Sequence, residues 1–148
     1  MVRGSCCFFG HRDACRLDCT RLLEVVRAQI LQGDKVFYVG NQGEFDRAVY
    51  GCLKQLREEY PYIQIRVVLA YLPTEKDIEI PDSMYPEGLE TVHPQYAIEK
   101  RNRWMVTASN TCICYIDHTW GGAYKFTKLA KKHGLTVINI GSAEIQVS

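Results

Sequence analysis

Three segments of this sequence place glycine beside polar or aromatic residues: Gly10-His11-Arg12-Asp13, Gly40-Asn41-Gln42-Gly43 and Asp117-His118-Thr119-Trp120-Gly121-Gly122. Each follows a short apolar run and precedes an amphipathic stretch. A glycine-rich turn lets the backbone approach a ligand, and the helix behind it offers N–H groups that no residue within the helix can satisfy. The chemistry that fits is the binding of a phosphate or diphosphate. Glycine is also an ordinary turn residue, so one such loop decides nothing. Three on one predicted sheet edge favour a ligand.

Around these loops stand side chains able to hold one. Arg101 shares a helix face with Met105, so a core position for Met105 turns the guanidinium toward the sheet edge, where it can fork a phosphate or carboxylate. The alternative is a surface arginine paired with an acid such as Glu99. Asp46 stands in the first turn of a helix, where it either favours the helix dipole or accepts hydrogen bonds from a ribose or base. His11 and Arg12 are placed to touch an anion, or to cap and pack. Trp120, Tyr85 and Tyr71 are candidates to stack on a base. His93 and His118 have no partner at metal-ligand spacing, so no metal is expected. Neither the dinucleotide Gly-x-Gly-x-x-Gly fingerprint nor a Walker A loop is present, which argues against an ordinary dehydrogenase or NTPase.

The elements that must position these residues follow from the apolar pattern. Residues 5–9, 36–39, 63–71, 111–116 and 136–140 read as buried strands, and residues 144–147 as a short edge strand. Helical periodicity covers residues 15–31, the stretch from Phe45 with Ala48, Val49, Cys52, Leu53 and Leu56 on one face, residues 96–109, and residues 122–133. On the last helix Ala123, Phe126, Ala130 and His133 form the apolar face, and Lys125, Lys128 and Lys132 the wet one. Residues 72–94, with four prolines, read as a long loop. Strand and helix alternate throughout, which predicts an α/β protein: a predominantly parallel sheet of about five strands, with helices on both faces. In such a sheet ligands bind beyond the carboxyl ends of the strands.

Composition narrows the partners. The 148 residues carry 18 Lys+Arg against 17 Asp+Glu, a net charge of +1. That balance does not suit extended nucleic acid bound by phosphate neutralisation. The first apolar stretch is broken by Gly10, His11, Arg12 and Asp13, and no run reaches the ~20 residues of a membrane span. Residues 1–148 therefore read as one domain, expected in the cytoplasm with no membrane partner. An odd count of seven cysteines cannot pair fully within the chain. They read as buried small hydrophobes in a reducing compartment, with no disulfide framework or zinc site.

Taken together, Phe8-Phe9-Gly10-His11-Arg12, Val39-Gly40-Asn41-Gln42-Gly43-Glu44-Phe45-Asp46, and the run from Arg101-Asn102-Arg103-Trp104-Met105 to Trp120-Gly121-Gly122-Ala123 resemble the SLOG superfamily. That group contains the Lonely-guy phosphoribohydrolases, the DNA-processing protein A fold, and short bacterial and phage members, to which the likeness is nearest. The resemblance covers nearly the whole chain. It implies a Rossmann-like three-layer fold that binds nucleotides or molecules derived from them, in several cases as a sensor of signals made from NAD. It also implies self-association, with Met84, Tyr85 and Leu89 as a candidate apolar surface.

Enzymatic members of the group carry Arg-Lys-x-x-Met and Pro-Gly-Gly-x-Gly-Thr-x-x-Glu. Arg101 and Met105 match the first. The second is eroded, because Gly121 and Gly122 remain but Thr127 and Lys128 stand in the neighbourhood of the glutamate. Cleavage of an N-glycosidic bond benefits from a carboxylate, and its loss favours binding without turnover. Glu44, Asp46, Glu87 or Asp117 would have to replace it in a phosphoribohydrolase acting on a nucleoside monophosphate, the alternative reading. The expected function is thus to bind a phosphate-containing, ADP-ribose-related molecule, with no cofactor, as a phage sponge for an immune signal or a host sensor of one. A DNA-processing accessory role is disfavoured by the charge balance. On this reading Gly10, His11, Arg12, Gly40, Asn41, Gln42, Gly43, Asp46, Tyr85, Arg101, Trp120, Gly121 and Gly122 form the site, and Arg101 serves the ligand without supporting the fold.

Overall fold

The structure, a computed structural model, describes residues 4–14, 16–78 and 80–141, with the backbone alone at 77 and 78. The central strands are almost unbroken apolar runs, as expected where both faces of a sheet are covered. β1 (Ser5–Gly10), β2 (Val36–Val39), β3 (Gln64–Val68), β4 (Ser83–Met84), β5 (Thr111–Tyr115) and β6 (Thr136–Asn139) lie in the order β4-β3-β2-β1-β5-β6. Every neighbouring pair is parallel. The helices are α1 (Cys19–Gln32), α2 (Gly43–Glu59), α3 (Glu75–Ile78), α4 (Ala97–Thr107) and α5 (Gly122–Lys132). This is a Rossmann-like, three-layer α/β fold.

The two-residue period of a strand divides β1 between two cores. Cys6 and Phe8 pack with Leu22, Val26 and Ile30 of α1 and Phe45, Val49 and Leu53 of α2. Cys7 and Phe9 point the other way, to Met105 and Val106 of α4 and Phe126 and Ala130 of α5. The chain runs outward from β1 to β4 on one side, then returns to place β5 on the other. β1 and β5 therefore form the switch point, where their following loops diverge to opposite faces.

Six strands replace the expected five because β4 lies inside the stretch read as loop. Two residues between Pro81 and Pro86 carry no periodicity to detect. Their position is fixed by Asp82, whose carboxylate accepts from both arms of the Arg57 guanidinium at 2.8 and 3.2 Å and from the Tyr50 hydroxyl at 2.9 Å. Helix α1 begins later than its apolar pattern suggests, because the Asp18 carboxylate caps it through the amides of Thr20 and Arg21. Cys19 consequently lies exposed in the first turn, not buried, whereas Cys6, Cys7, Cys52, Cys112 and Cys114 are buried. Burial pushes the Cys52 thiol up to about 12 and Cys6 well above its ordinary value. His133 is exposed and Thr127 takes its place on the buried side of α5. Met84, Tyr85 and Leu89, the expected apolar contact surface, pack within the chain, Tyr85 and Leu89 in a small cluster with Ala70 and Ala97. The expected edge strand at 144–147 and residue Cys15 lie outside the described residues. No helix among the described residues is long and apolar enough to cross a membrane.

Asp34, in the turn after α1, has a buried carboxylate oxygen with no hydrogen-bond partner, and desolvation raises its pKa to about 6. A raised folded-state pKa means that stability is lost as pH rises through that value, because the charged form is disfavoured in the fold. Asp34→Asn is expected to match the wild type in thermal midpoint near pH 4. It should be more stable by ~1–2 kcal/mol near pH 8, where the buried charge is gone, as followed by thermal melts across that range.

Candidate functional site

The register Gly10↔Tyr115 brings the ends of β1 and β5 level, so residues 10–13 and 117–122 face each other. Between them, and bounded by Gly40, Gln42 and Asp46 from the second loop and Arg101 from α4, lies a cleft of about 590 Å³. Of the residues singled out in the sequence, Gly10, His11, Arg12, Gly40, Gln42, Asp46, Arg101, Trp120, Gly121 and Gly122 line it. Asn41, Gly43 and Tyr85 do not line it. Asn41 sits behind Arg101, Gly43 packs against Arg12, and Tyr85 is drawn into the cluster around Leu89.

Arg101 is turned inward, only 3% exposed. Its Nε donates to Asn102 Oδ1 at 2.8 Å, Nη1 to the Val68 carbonyl at 2.9 Å and Asn41 Oδ1 at 3.4 Å, and Nη2 to Gln42 Oε1 at 2.6 Å. Of five guanidinium protons, four are thus committed inside the protein. The side chain ties the end of β3 and the loop after β2 to α4, which makes it a wall of the cleft more than a free clamp. Burial lowers its pKa, opposed by the charge of Asp46. Asp46 is in turn raised to about 6 by desolvation, against the Gln42 amide that its Oδ2 accepts at 2.9 Å and the charges of Arg101 and Arg12.

The glycines of the first two loops serve this packing. A Cβ at Gly10 would stand 2.3 Å from the Phe45 ring, and one at Gly40 would stand 2.8 Å from Asp46 Oδ2 and 3.1 Å from Arg101 Nη1. Gly43, at φ +86°, has Arg12 backbone 3.0 Å from the same position. The amides behind the second loop are also occupied, since Gln42 N donates to Asp46 and Glu44 N to the Arg12 carbonyl. A phosphate cradle from Gly40 to Gly43 is therefore not what this loop offers.

The third loop differs. Gly121 has φ +94° and Gly122 has nothing within 4 Å of a Cβ, so both are open to the cleft. No side chain caps α5, and its first turn holds no acid. Among the helices that begin at this sheet edge, α1 is capped by Asp18, the start of α2 is met by Asp46 and Arg12, and α4 carries Glu99 in its first turn. With neither a side-chain cap nor an acid in its first turn, α5 sets the positive end of its dipole at the cleft. In the neighbourhood where the enzymatic motif has its glutamate, Lys128 is exposed and Thr127 is buried with its hydroxyl donating to the Ala123 carbonyl. Of the substitute carboxylates only Asp46 and Asp117 line the cleft; Glu44 and Glu87 do not.

Beside α5 lies a cluster that sequence spacing does not reveal. The rings of His11 and His118 stack with centroids 3.5 Å apart and 10° between planes, and Trp120 covers the other side of His118 at 3.9 Å. His118 Nδ1 is 2.6 Å from Asp117 Oδ1. His11 is 8% exposed, and its Nε2 is buried without a hydrogen bond, 3.5 Å from Asp117. Desolvation lowers the His11 pKa, with His118 acting in the same sense and Asp117 against it. The ligand-type atoms of His11, Asp117 and His118 lie within 4.8 Å of one another. Stacked rings hold their nitrogen lone pairs in parallel planes, which do not converge on one ion, and a tetrahedral metal site would require the rings to turn. The pairing of β1 with β5 brings these distant residues together; the one signal in the sequence is that His11 directly follows β1 and His118 lies three residues past the end of β5.

No family model matches the sequence, and no curated protein matches it. A solved structure shares the fold. This chain is similar to the X-ray structure of DNA processing protein A from Streptococcus pneumoniae, with a TM-score of 0.69 and 15% identity over 97% of this chain and 52% of that one. The chain spans about half the length of that protein. At such identity the likeness establishes the Rossmann-like fold.

Because the guanidinium of Arg101 is built into the loops, its removal is expected to cost stability as well as alter the cleft. Arg101→Ala leaves the Val68 carbonyl and the Gln42 side-chain oxygen without their donor. Leaving buried acceptors of this kind unsatisfied costs about 1–3 kcal/mol, to be read as a lower urea midpoint. An unchanged midpoint would contradict the structural role.

Proposed function

We propose that the chain binds a phosphate-bearing, nucleotide-derived small molecule of the ADP-ribose class in the cleft between the ends of β1 and β5. The observation that carries this reading is the uncapped N-terminus of α5, at Gly121 and Gly122, opening into a cleft at the switch point of a parallel sheet. Two further features support it. His11 Nε2, buried and without a hydrogen bond, stands 3.5 Å from Asp117 Oδ1 in the same wall. Trp120, 70% exposed, lies beside α5 where an aromatic surface can receive a base or ribose. The phosphate is placed on the amides of Gly122 and Ala123, with Arg12 from the facing loop as the available cation. Holding an ADP-ribose-related signal in this way fits a sensor or a sponge equally.

Two substitutions test the placement by calorimetric titration with ADP-ribose. Gly122→Asp puts a carboxylate in the first turn of α5, where there is open space. It should preserve or raise stability by ~0.3–1 kcal/mol through the dipole while abolishing measurable binding. Trp120→Ala should weaken binding by ~1–3 kcal/mol if the ring stacks on the base. Equal affinity in wild type and both variants would reject the site.

A further inference from the structure

We infer that the cleft is also an active site, in which His118, oriented by Asp117, is the general base for hydrolysis of the phosphoanhydride or phosphodiester bond of the bound nucleotide. This rests on the placement of the phosphate at α5. The Asp117 carboxylate can only accept a hydrogen bond, so the 2.6 Å contact puts a proton on His118 Nδ1 and leaves the lone pair of the neutral ring on Nε2. That nitrogen points at the mouth of α5, 4.0 Å from where a Cβ on Gly121 would stand. The ring is held in place on three sides: stacked on His11, covered by Trp120 and hydrogen-bonded to Asp117. An imidazole fixed in one tautomer by a carboxylate, beside a set of backbone donors for an oxyanion, is the arrangement acid–base catalysis needs.

The missing glutamate bears on a different reaction. Cleaving an N-glycosidic bond benefits from a carboxylate near the sugar, and on α5 the motif's glutamate is replaced by Lys128, which is exposed. Attack at phosphorus requires a base near the phosphate, which His118 is. In the step, His118 Nε2 takes a proton from water as the water oxygen forms a bond to phosphorus, and the bond from phosphorus to the leaving oxygen breaks. The amides of α5 hold the charge on the non-bridging oxygens. The imidazolium then returns its proton to the leaving oxygen or to solvent. From ADP-ribose the products are AMP and ribose 5-phosphate. His11 is a positioning residue here: buried and held toward its neutral form, it forms an uncharged platform beneath His118.

The experiment incubates the full chain with ADP-ribose or bis(p-nitrophenyl) phosphate in the presence of EDTA, separates the products, and measures AMP binding by calorimetry in parallel. Wild type is expected to release AMP or p-nitrophenol without added metal. His118→Ala should lower kcat ~10²–10⁴-fold while AMP affinity stays within about threefold. Asp117→Asn keeps the ring but removes the orienting carboxylate, and should lower kcat more than tenfold with AMP affinity again unchanged. AMP binding without turnover of either substrate would overturn catalysis and leave the binding site standing. Loss of turnover in EDTA, or full activity in both variants, would overturn the imidazole as base. Absence of AMP binding would reject the site itself.

Discussion

The parallel pairing of β1 with β5 is the constraint on which the site depends. Its register sets Gly10 opposite Tyr115, and the His11 amide continues the ladder to the Tyr115 carbonyl at 3.3 Å. Two loops more than a hundred residues apart in sequence are thereby fixed face to face. A slip of one residue would reverse which side chains of β1 reach each core, and Phe8 and Phe9, both buried, make that slip expensive. The cleft is thus a consequence of packing on both faces of the central strand.

Within that frame the three glycine loops divide their work. The first two are spent on the protein's own interior: Gly10 admits Phe45, Gly40 admits Asp46 and Arg101, and the amides behind the second loop are bonded to Asp46 and Arg12. This internal network holds the loop after β2 against α4 through a guanidinium with a nearby carboxylate. The third loop is left open, with the uncapped positive end of α5 at the cleft. One rigid half and one receptive half are what a preorganised binding cleft requires.

Much of this architecture was legible in the sequence because burial on two faces writes a strong signal. Unbroken apolar runs located five strands, and 3.6-residue periodicity located the long helices. The turning of Arg101 toward the interior followed from its place one turn before Met105. What could not be read was anything set by long-range contact. β4 has two residues and is held by Arg57 and Tyr50 from α2. Tyr85 moved from the expected site to the cluster of Leu89 because local sequence does not show which pocket an aromatic ring will fill. The cluster of His11, Asp117 and His118 was missed for the same reason, since spacing along the chain is a poor guide to residues joined across a sheet. The glycines were recognised, but whether a glycine makes room for a ligand or for a neighbouring side chain depends on what stands against it.

The central claim is that an anion sits on the first turn of α5. Amide chemical-shift mapping of the labelled protein with AMP tests it residue by residue. The account predicts that the largest shifts fall on the amides of Gly122 and Ala123 and on the Trp120 indole, saturating together with one dissociation constant. Shifts confined to the lysine-lined outer face of α5, at Lys125, Lys128, Lys131 and Lys132, with Gly122 and Trp120 unmoved, would contradict it.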